Sequence, residues 1–156
     1  MSIAQSVELF LKERDVDYDL VRHPRTVTSL RTAEMAHVPG TQVAKSVLLE
    51  DETGFLIAVI PATHRLDLGK LRQQLRRPIV LAVEREVAKV FPDCERGAIP
   101  AIGPAYRVET VIDDHLLAQT DVYFEAGDHE ALVHMSGPAF GAMMAGVRHG
   151  QFAHHA

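Results

Sequence analysis

A lysine set among aliphatic residues at strand spacing is the first place in this sequence where chemistry could reside. In Val43-Ala44-Lys45-Ser46-Val47-Leu48-Leu49, side chains alternate between two faces, so Val43, Lys45, Val47 and Leu49 share one. The other face, Ala44, Ser46, Leu48 and Glu50, reads as the more polar. An ammonium is costly to bury without a partner or a task. Lys45 therefore has a partner or a functional task there; alternatively its stem lies along apolar surface and its charge reaches solvent. A second candidate is the loop Gly97-Ala98-Ile99-Pro100-Ala101-Ile102-Gly103. Its glycines permit unusual dihedrals, and exposed N–H groups in such a loop can receive an oxyanion, carbonyl or phosphate oxygen. It lacks both G-x-x-x-x-G-K and G-x-G-x-x-G spacing, and an ordinary ordered connection reads the same way.

Other chemistries find less support. The histidines are His23, His37, His64, His115, His129, His134, His149, His154 and His155. None forms H-E-x-x-H or pairs with cysteine at zinc-finger spacing, and a strand would point His129 and His134 to opposite faces, so no metal site is expected. There is no G-x-S-x-G elbow, and Ser136 stands where a helix cap is expected. Cys94 lies between Asp93 and Glu95, whose charges disfavour a thiolate.

The elements that must position these residues follow from periodicity and capping. Ile3, Val7, Phe10 and Leu11 line one face of a helix over 2–14, with Ser2 as its cap. A short strand is expected at 17–21, then a turn with Pro24. Thr28 or Ser29 caps a helix through Met35 that Pro39-Gly40 stops. Residues 42–49 and 55–60 form two antiparallel strands around a turn at 51–54. Asp67 opens a helix with Leu68, Leu71 and Leu75 inward, ended by Pro78. A strand at 79–83, a short helix at 84–91, strands at 107–112, 121–125 and 131–135, and a helix at 137–147 complete the chain. This interleaved order gives the α+β class, with one domain over residues 1–148 around a mixed, largely antiparallel sheet. Residues 149–156 are expected to be a frayed tail.

Composition agrees with a globular protein: 156 residues, 47% hydrophobic and 24% charged, which excludes a disordered or low-complexity chain. A lone cysteine forms no internal disulfide, no stretch approaches the roughly 18 apolar residues of a membrane span, and the first residues lack a signal-peptide pattern. A soluble protein of the reducing cytoplasm is expected. The net charge of −5 argues against a wide basic groove for duplex DNA. Residues 22–31 nevertheless carry +3 (Arg22, Arg25, Arg31). Residues 65–77 carry +4 (Arg65, Lys70, Arg72, Arg76, Arg77 against Asp67), leaving −12 to the rest. These islands are either solvated helix faces or receivers of a few phosphates.

The ordered set of His23-Pro24, Thr28-Ser29, Gln42 to Leu49, Ile60-Pro61, His64 to Leu68, the Gly97–Gly103 loop and Phe124-Glu125-Ala126-Gly127 resembles the YbaK/ProX-type aminoacyl-tRNA deacylases, relatives of an editing domain inserted in some prolyl-tRNA synthetases. The resemblance covers nearly the whole chain. It implies a partly barrel-like sheet flanked by helices. It also implies hydrolysis, without metal or cofactor, of the ester joining a wrong amino acid to tRNA, with Cys- or Ala-tRNA(Pro) as the leading substrates. On this reading Lys45 neutralises or orients a phosphate or reacting oxygen, and N–H groups at Gly97, Ala98 and Gly103 polarise the ester carbonyl. His23, Thr28, Ser29, Ile99, Pro100, Asp128 and His129 contact the terminal nucleotide or amino acid. Arg22, Arg25, Arg31, Arg65, Lys70, Arg72, Arg76 and Arg77 meet the acceptor-stem backbone. The partners implied are a mischarged tRNA end and a synthetase, with neither DNA nor membrane. The rival classes are a non-catalytic nucleotide or aminoacyl-tRNA binding module and a synthetase-associated interaction protein.

Overall fold

Caps and apolar periodicity set most element boundaries in the computed structural model, which describes residues 3–156 apart from the side chain of Glu84. Helix α1 (Gln5–Glu13) buries Val7, Phe10 and Leu11. Ser2, its expected cap, lies outside the described residues, and Ala4 holds the N-cap position with no side-chain bond. Strand β1 (Asp19–Arg22) leads to helix α2 (Ser29–Ala36), where the Thr28 hydroxyl accepts from the Arg31 N–H. A hairpin of β2 (Val43–Asp51) and β3 (Gly54–Pro61) follows, then β4 (His64–Leu66). Helix α3 (Leu68–Leu75) is capped by Asp67, which accepts from the Lys70 N–H, and buries Leu71 and Leu75. The strand expected at 79–83 shrinks to β5 (Val80–Leu81), and the helix at 84–91 is a 3-10 turn followed by α4 (Val87–Val90).

Strand β6 (Glu109–Asp113), helix α5 (Asp114–Leu117), strands β7 (Asp121–Glu125) and β8 (Ala131–Ser136), and helix α6 (Gly137–Met143) come next. Ser136 caps α6 by accepting from the Ala139 N–H, and the helix stops four residues short of its expected end. The chain closes with β9 (Arg148–Gly150) and β10 (Ala153–His155).

The main sheet has the order β1-β8-β7-β2-β3-β6-β9, with β5 added to β2, and β4 pairs separately with β10. Antiparallel ladders join β1 to β8, β7 to β8, and β2 to both β3 and β5; parallel ladders join β2 to β7, β3 to β6, and β6 to β9. This is a single α+β domain with a central mixed sheet flanked by helices. Both faces of β2 are covered. Val47 and Leu49 face a cluster with Leu71, Leu75 and Phe152, while Ala44 and Leu48 enter the larger core with Phe124, Ile102 and Phe140. The face expected to be polar therefore looks into the main core, because α1, α6 and the loop after residue 97 cover it.

The outer edge of β2 is shared. It meets β7 only at Val43 and Ala44, and β5 only at Leu49 and Glu50. Between these two ladders the edge opens, and the segment from Ala98 to Ile102, buried apart from half-buried Ile99, passes there; the Pro100 carbonyl accepts the Ser46 hydroxyl at 3.1 Å.

The expected frayed tail is instead part of the fold. Strand β9 extends the main sheet, β10 pairs with β4, and Phe152 is 1% exposed. Buried Asp113 accepts the N–H groups of Phe152 and Ala153 at 3.0 and 2.9 Å. A polar, histidine-rich ending hides this order, which depends on one phenylalanine and one distant carboxylate. Among the described residues no helix is long and apolar enough to cross a membrane.

Burial opposes the charge of Asp113, but the N–H groups of Phe152 and His115 outweigh it and hold the carboxyl below its ordinary value. Asp113→Asn is expected to cost about 1.5–3 kcal/mol at neutral pH and to speed amide exchange over 152–156. The lowered folded-state pKa makes this stabilisation present above the unfolded value and lost as pH falls through the folded one. Denaturant midpoints of the two proteins should therefore converge in acid.

Candidate active site

The start of β2 fixes Lys45. Ala33 of α2 packs with Val43 and Ala62, seating this end of the strand. The Lys45 ammonium, half-buried, donates to the His64 carbonyl at 3.1 Å. Burial, reinforced by the charge of Arg65, lowers its pKa from the ordinary lysine value. Its stem therefore does not run free to solvent. Ser46, on the opposite face, holds the Pro100 carbonyl and with it the glycine loop.

A cavity of about 470 Å³ opens where these elements meet. Val27, Thr28, Ser29 and Leu30 come from the start of α2, and Ala44, Lys45 and Ser46 from β2. Ala62, Gly97, Ile99 and Glu125 complete the lining. The structure thus brings together Lys45, Thr28, Ser29, Gly97 and Ile99 among the residues expected from the sequence. Gly97 sits at φ 84, and a Cβ there would lie 3.1 Å from the His129 ring, so both backbone conformation and space call for glycine.

Other expected residues serve the walls. Ala98 is buried and its N–H already donates to the Glu95 carbonyl at 3.0 Å, so it does not polarise a substrate carbonyl. Gly103 lies outside the lining; a Cβ there would come within 1.9 Å of the Thr110 hydroxyl, which makes it a packing glycine. Pro100 is buried behind its bond to Ser46. Asp128 accepts the N–H groups of Glu130 and Ala131 and shapes the turn between β7 and β8. His129, 4% exposed, donates from Nε2 to the Arg96 carbonyl at 2.5 Å and supports Gly97 from beneath. His23 is also buried, next to Glu125.

Glu125 and Ser46 are the polar residues that sequence reasoning did not assign to the site. Glu125 shares a strand face with Asp121 and Tyr123, so period-2 patterning reads it as solvent-facing. In the structure it is 5% exposed. Its Oε1 accepts from the Thr32 hydroxyl at 3.3 Å, and the Thr32 hydroxyl lies 2.5 Å from that of Thr26. Its Oε2 has no hydrogen-bond partner, nor does Nε2 of His23, which lies 3.9 Å from Oε1. Burial raises the Glu125 pKa to about 7, against the Thr32 bond and with help from Asp128.

Half of the expected phosphate-facing cations are engaged within the chain. Arg77 forks onto Asp51 and Glu109, and Arg72 donates to the Ile79 carbonyl at 2.8 Å. Arg25 pairs with Glu95, and Arg31 with Glu34. Arg22, Arg65, Lys70 and Arg76 are exposed. Cys94 is no nucleophile: burial pushes its thiol up to about 12. Among the described residues, no three His, Cys, Asp or Glu side chains gather as a metal site.

The sequence pattern of the aminoacyl-tRNA editing domain matches residues 23–141, a span that includes every residue lining the cavity. The chain belongs to the aminoacyl-tRNA editing domain family. Its fold is similar to the crystal structure of the hypothetical protein APE2540, at 23% identity and a TM-score of 0.84 over 96% of this chain and 100% of that one. It is also similar to "a putative trans-editing enzyme for prolyl tRNA synthetase", at 23% identity and a TM-score of 0.82 over 96% of each chain. No curated protein matches the chain.

The raised pKa of Glu125 links the cavity to stability. Between its ordinary value of 4.5 and about 7 the folded protein holds a proton that the unfolded chain has released, so stability falls as pH rises through this window. Glu125→Gln keeps the neutral shape and removes the titration. Its denaturant midpoint relative to wild type should rise between pH 5 and pH 8.5; an unchanged difference would contradict the assignment.

Proposed function

We propose that the cavity is where this editing domain hydrolyses the ester of a mischarged aminoacyl-tRNA, acting in trans as a deacylase. The observation that carries the reading is the half-buried Lys45 ammonium in a cavity of about 470 Å³, inside the segment that matches the family. That volume suits a small ligand, which for an aminoacylated tRNA end means the amino acid and part of the terminal adenosine.

An aminoacyl ester is already activated, so the site needs positioning and charge stabilisation more than a strong nucleophile. Lys45 orients the terminal phosphate or steadies the oxygen that gains charge, and the Gly97 turn approaches the ester carbonyl. Thr28 and Ser29 offer hydroxyls to the nucleotide. Ala44, Ala62 and Ile99 form the apolar wall for the side chain. Water, or a group of the substrate itself, attacks the carbonyl carbon and the bond to the ribose oxygen breaks. Net hydrolysis yields a free amino acid and a tRNA with its ribose hydroxyl restored. The reaction is metal-independent, and the protein works in the cytoplasm. The likeness to a trans-editing enzyme for prolyl tRNA synthetase points to that synthetase as a partner, and the sequence resemblance points to Cys- and Ala-tRNA(Pro) as substrates. Exposed Arg22, Arg65, Lys70 and Arg76 contact the acceptor-stem phosphates, with Arg65 beside Lys45.

A panel of mischarged tRNAs, assayed with chelator present, tests this. Wild type should release one amino acid rapidly, and a folded Lys45→Ala protein should be slower by roughly 10²–10³-fold. A folded wild type silent across the panel would favour a binding module instead. Because the contacts are to phosphates, kcat/KM should also fall as salt rises, with a shallower slope in Arg65→Ala. A salt-independent kcat/KM would remove the acceptor-stem assignment.

A further inference from the structure

Lys45 and Glu125 are the two ionisable side chains that line the cavity. They do not neutralise each other: among the described residues no ion pair joins them, and the Lys45 ammonium is held by the His64 carbonyl. Glu125 is nine-tenths buried, with one oxygen bonded to Thr32 and the other without a partner. The nearest titratable side chain is His23, whose Nε2 lies 3.9 Å from Oε1, beyond hydrogen-bond reach. Its Nδ1 donates to the Pro24 carbonyl at 2.8 Å, and its Nε2 makes no hydrogen bond to the carboxyl group. Asp128, in the turn that follows, adds further negative charge. Thr26 and Thr32 contribute only neutral hydroxyls. A buried carboxyl group with one oxygen unbonded and no cation hydrogen-bonded to it can take a further, positive donor.

We propose that Glu125 receives the α-ammonium of the aminoacyl group, so that the cavity selects aminoacyl esters with a free amine. This rests on the deacylase reading of the same cavity and adds a recognition element to it. Lys45 at one wall and Glu125 at another complement a ligand that is anionic toward its nucleotide end and cationic at its amino acid. Without ligand, Glu125 tends to hold a proton, since burial raises its pKa to about 7. An arriving ammonium favours the carboxylate, so binding near pH 6.5 releases a proton.

The test uses two amide-linked, non-hydrolysable adenosines, 3′-alanylamino-3′-deoxyadenosine and its lactyl counterpart, which replaces the ammonium with a hydroxyl of similar size. Calorimetry at pH 6.5, in two buffers of different ionisation enthalpy, reads affinity and proton release. Wild type should bind the alanyl compound at least tenfold more tightly and release a proton. Glu125→Gln should bind both compounds alike without proton release. Equal binding of the two compounds by wild type overturns the proposal and needs no variant, so a misfolded Glu125→Gln would not shield it. Retention of the preference by a folded Glu125→Gln overturns it as well. If wild type binds neither compound and also deacylates no tRNA in the panel, the deacylase reading falls and this proposal falls with it.

Discussion

The outer edge of β2 cannot be satisfied by one neighbour, and the site follows from that constraint. Strand β7 runs parallel to β2 and pairs with it for two residues, while β5 reaches it antiparallel at the far end. The twist of adjacent strands makes such partners diverge. An open edge inside a protein leaves backbone groups needing partners and apolar faces needing cover. The Ala98–Ile102 segment fills the opening, and the Ser46 hydroxyl ties it to the strand through Pro100. The cavity lies beside this closure rather than in a loop free of the core.

This placement explains how two neighbours on opposite faces of β2 both line one cavity. Lys45 and Ser46 alternate, as strand geometry requires, yet each reaches the opening because no continuous partner strand separates them there. Lys45 belongs to the side covered by α3, and its ammonium finds the His64 carbonyl at the entrance of β4. Ser46 belongs to the side covered by α1 and α6 and takes the loop. A slip of one residue would exchange the two roles and send Leu48 and Leu49 to the wrong cores. Burial of both faces therefore defends the register on which the site depends.

Much of the fold was legible because its signals are local. Thr28, Asp67 and Ser136 each cap the helix expected of them, and the strand at 121–125 matches its expected bounds to the residue. Lys45 from its break in pattern, Gly97 from its loop, and Thr28, Ser29 and Ile99 from the family resemblance were expected to lie together, and all five line the cavity. What escaped depends on distant partners. Three-residue strands β9 and β10 have no period to detect and are held by Phe152 and Asp113. Arg77 looks like surface charge until Asp51 and Glu109 arrive from two strands. Ala98 looks like an open N–H donor until the turn through Glu95 closes.

Glu125 is the sharpest case, because its alternation is regular and only its environment is unusual. Helix α2 crosses the face of β7 that would otherwise meet water and brings Thr32 against the carboxyl group. The end of β1 brings His23. Thr32 bonds Oε1 only, His23 stands 3.9 Å off without a hydrogen bond, and the neighbouring turn contributes Asp128. A purely structural solution at this position would be an apolar residue or a neutral amide, since a fully packed polar network or none is the stable choice for a core. A carboxyl group kept at the cavity wall with one oxygen unmet imposes a cost on the empty protein. A cationic ligand group recovers that cost on binding, which places the selective force on the contents of the cavity rather than on the stability of the wall.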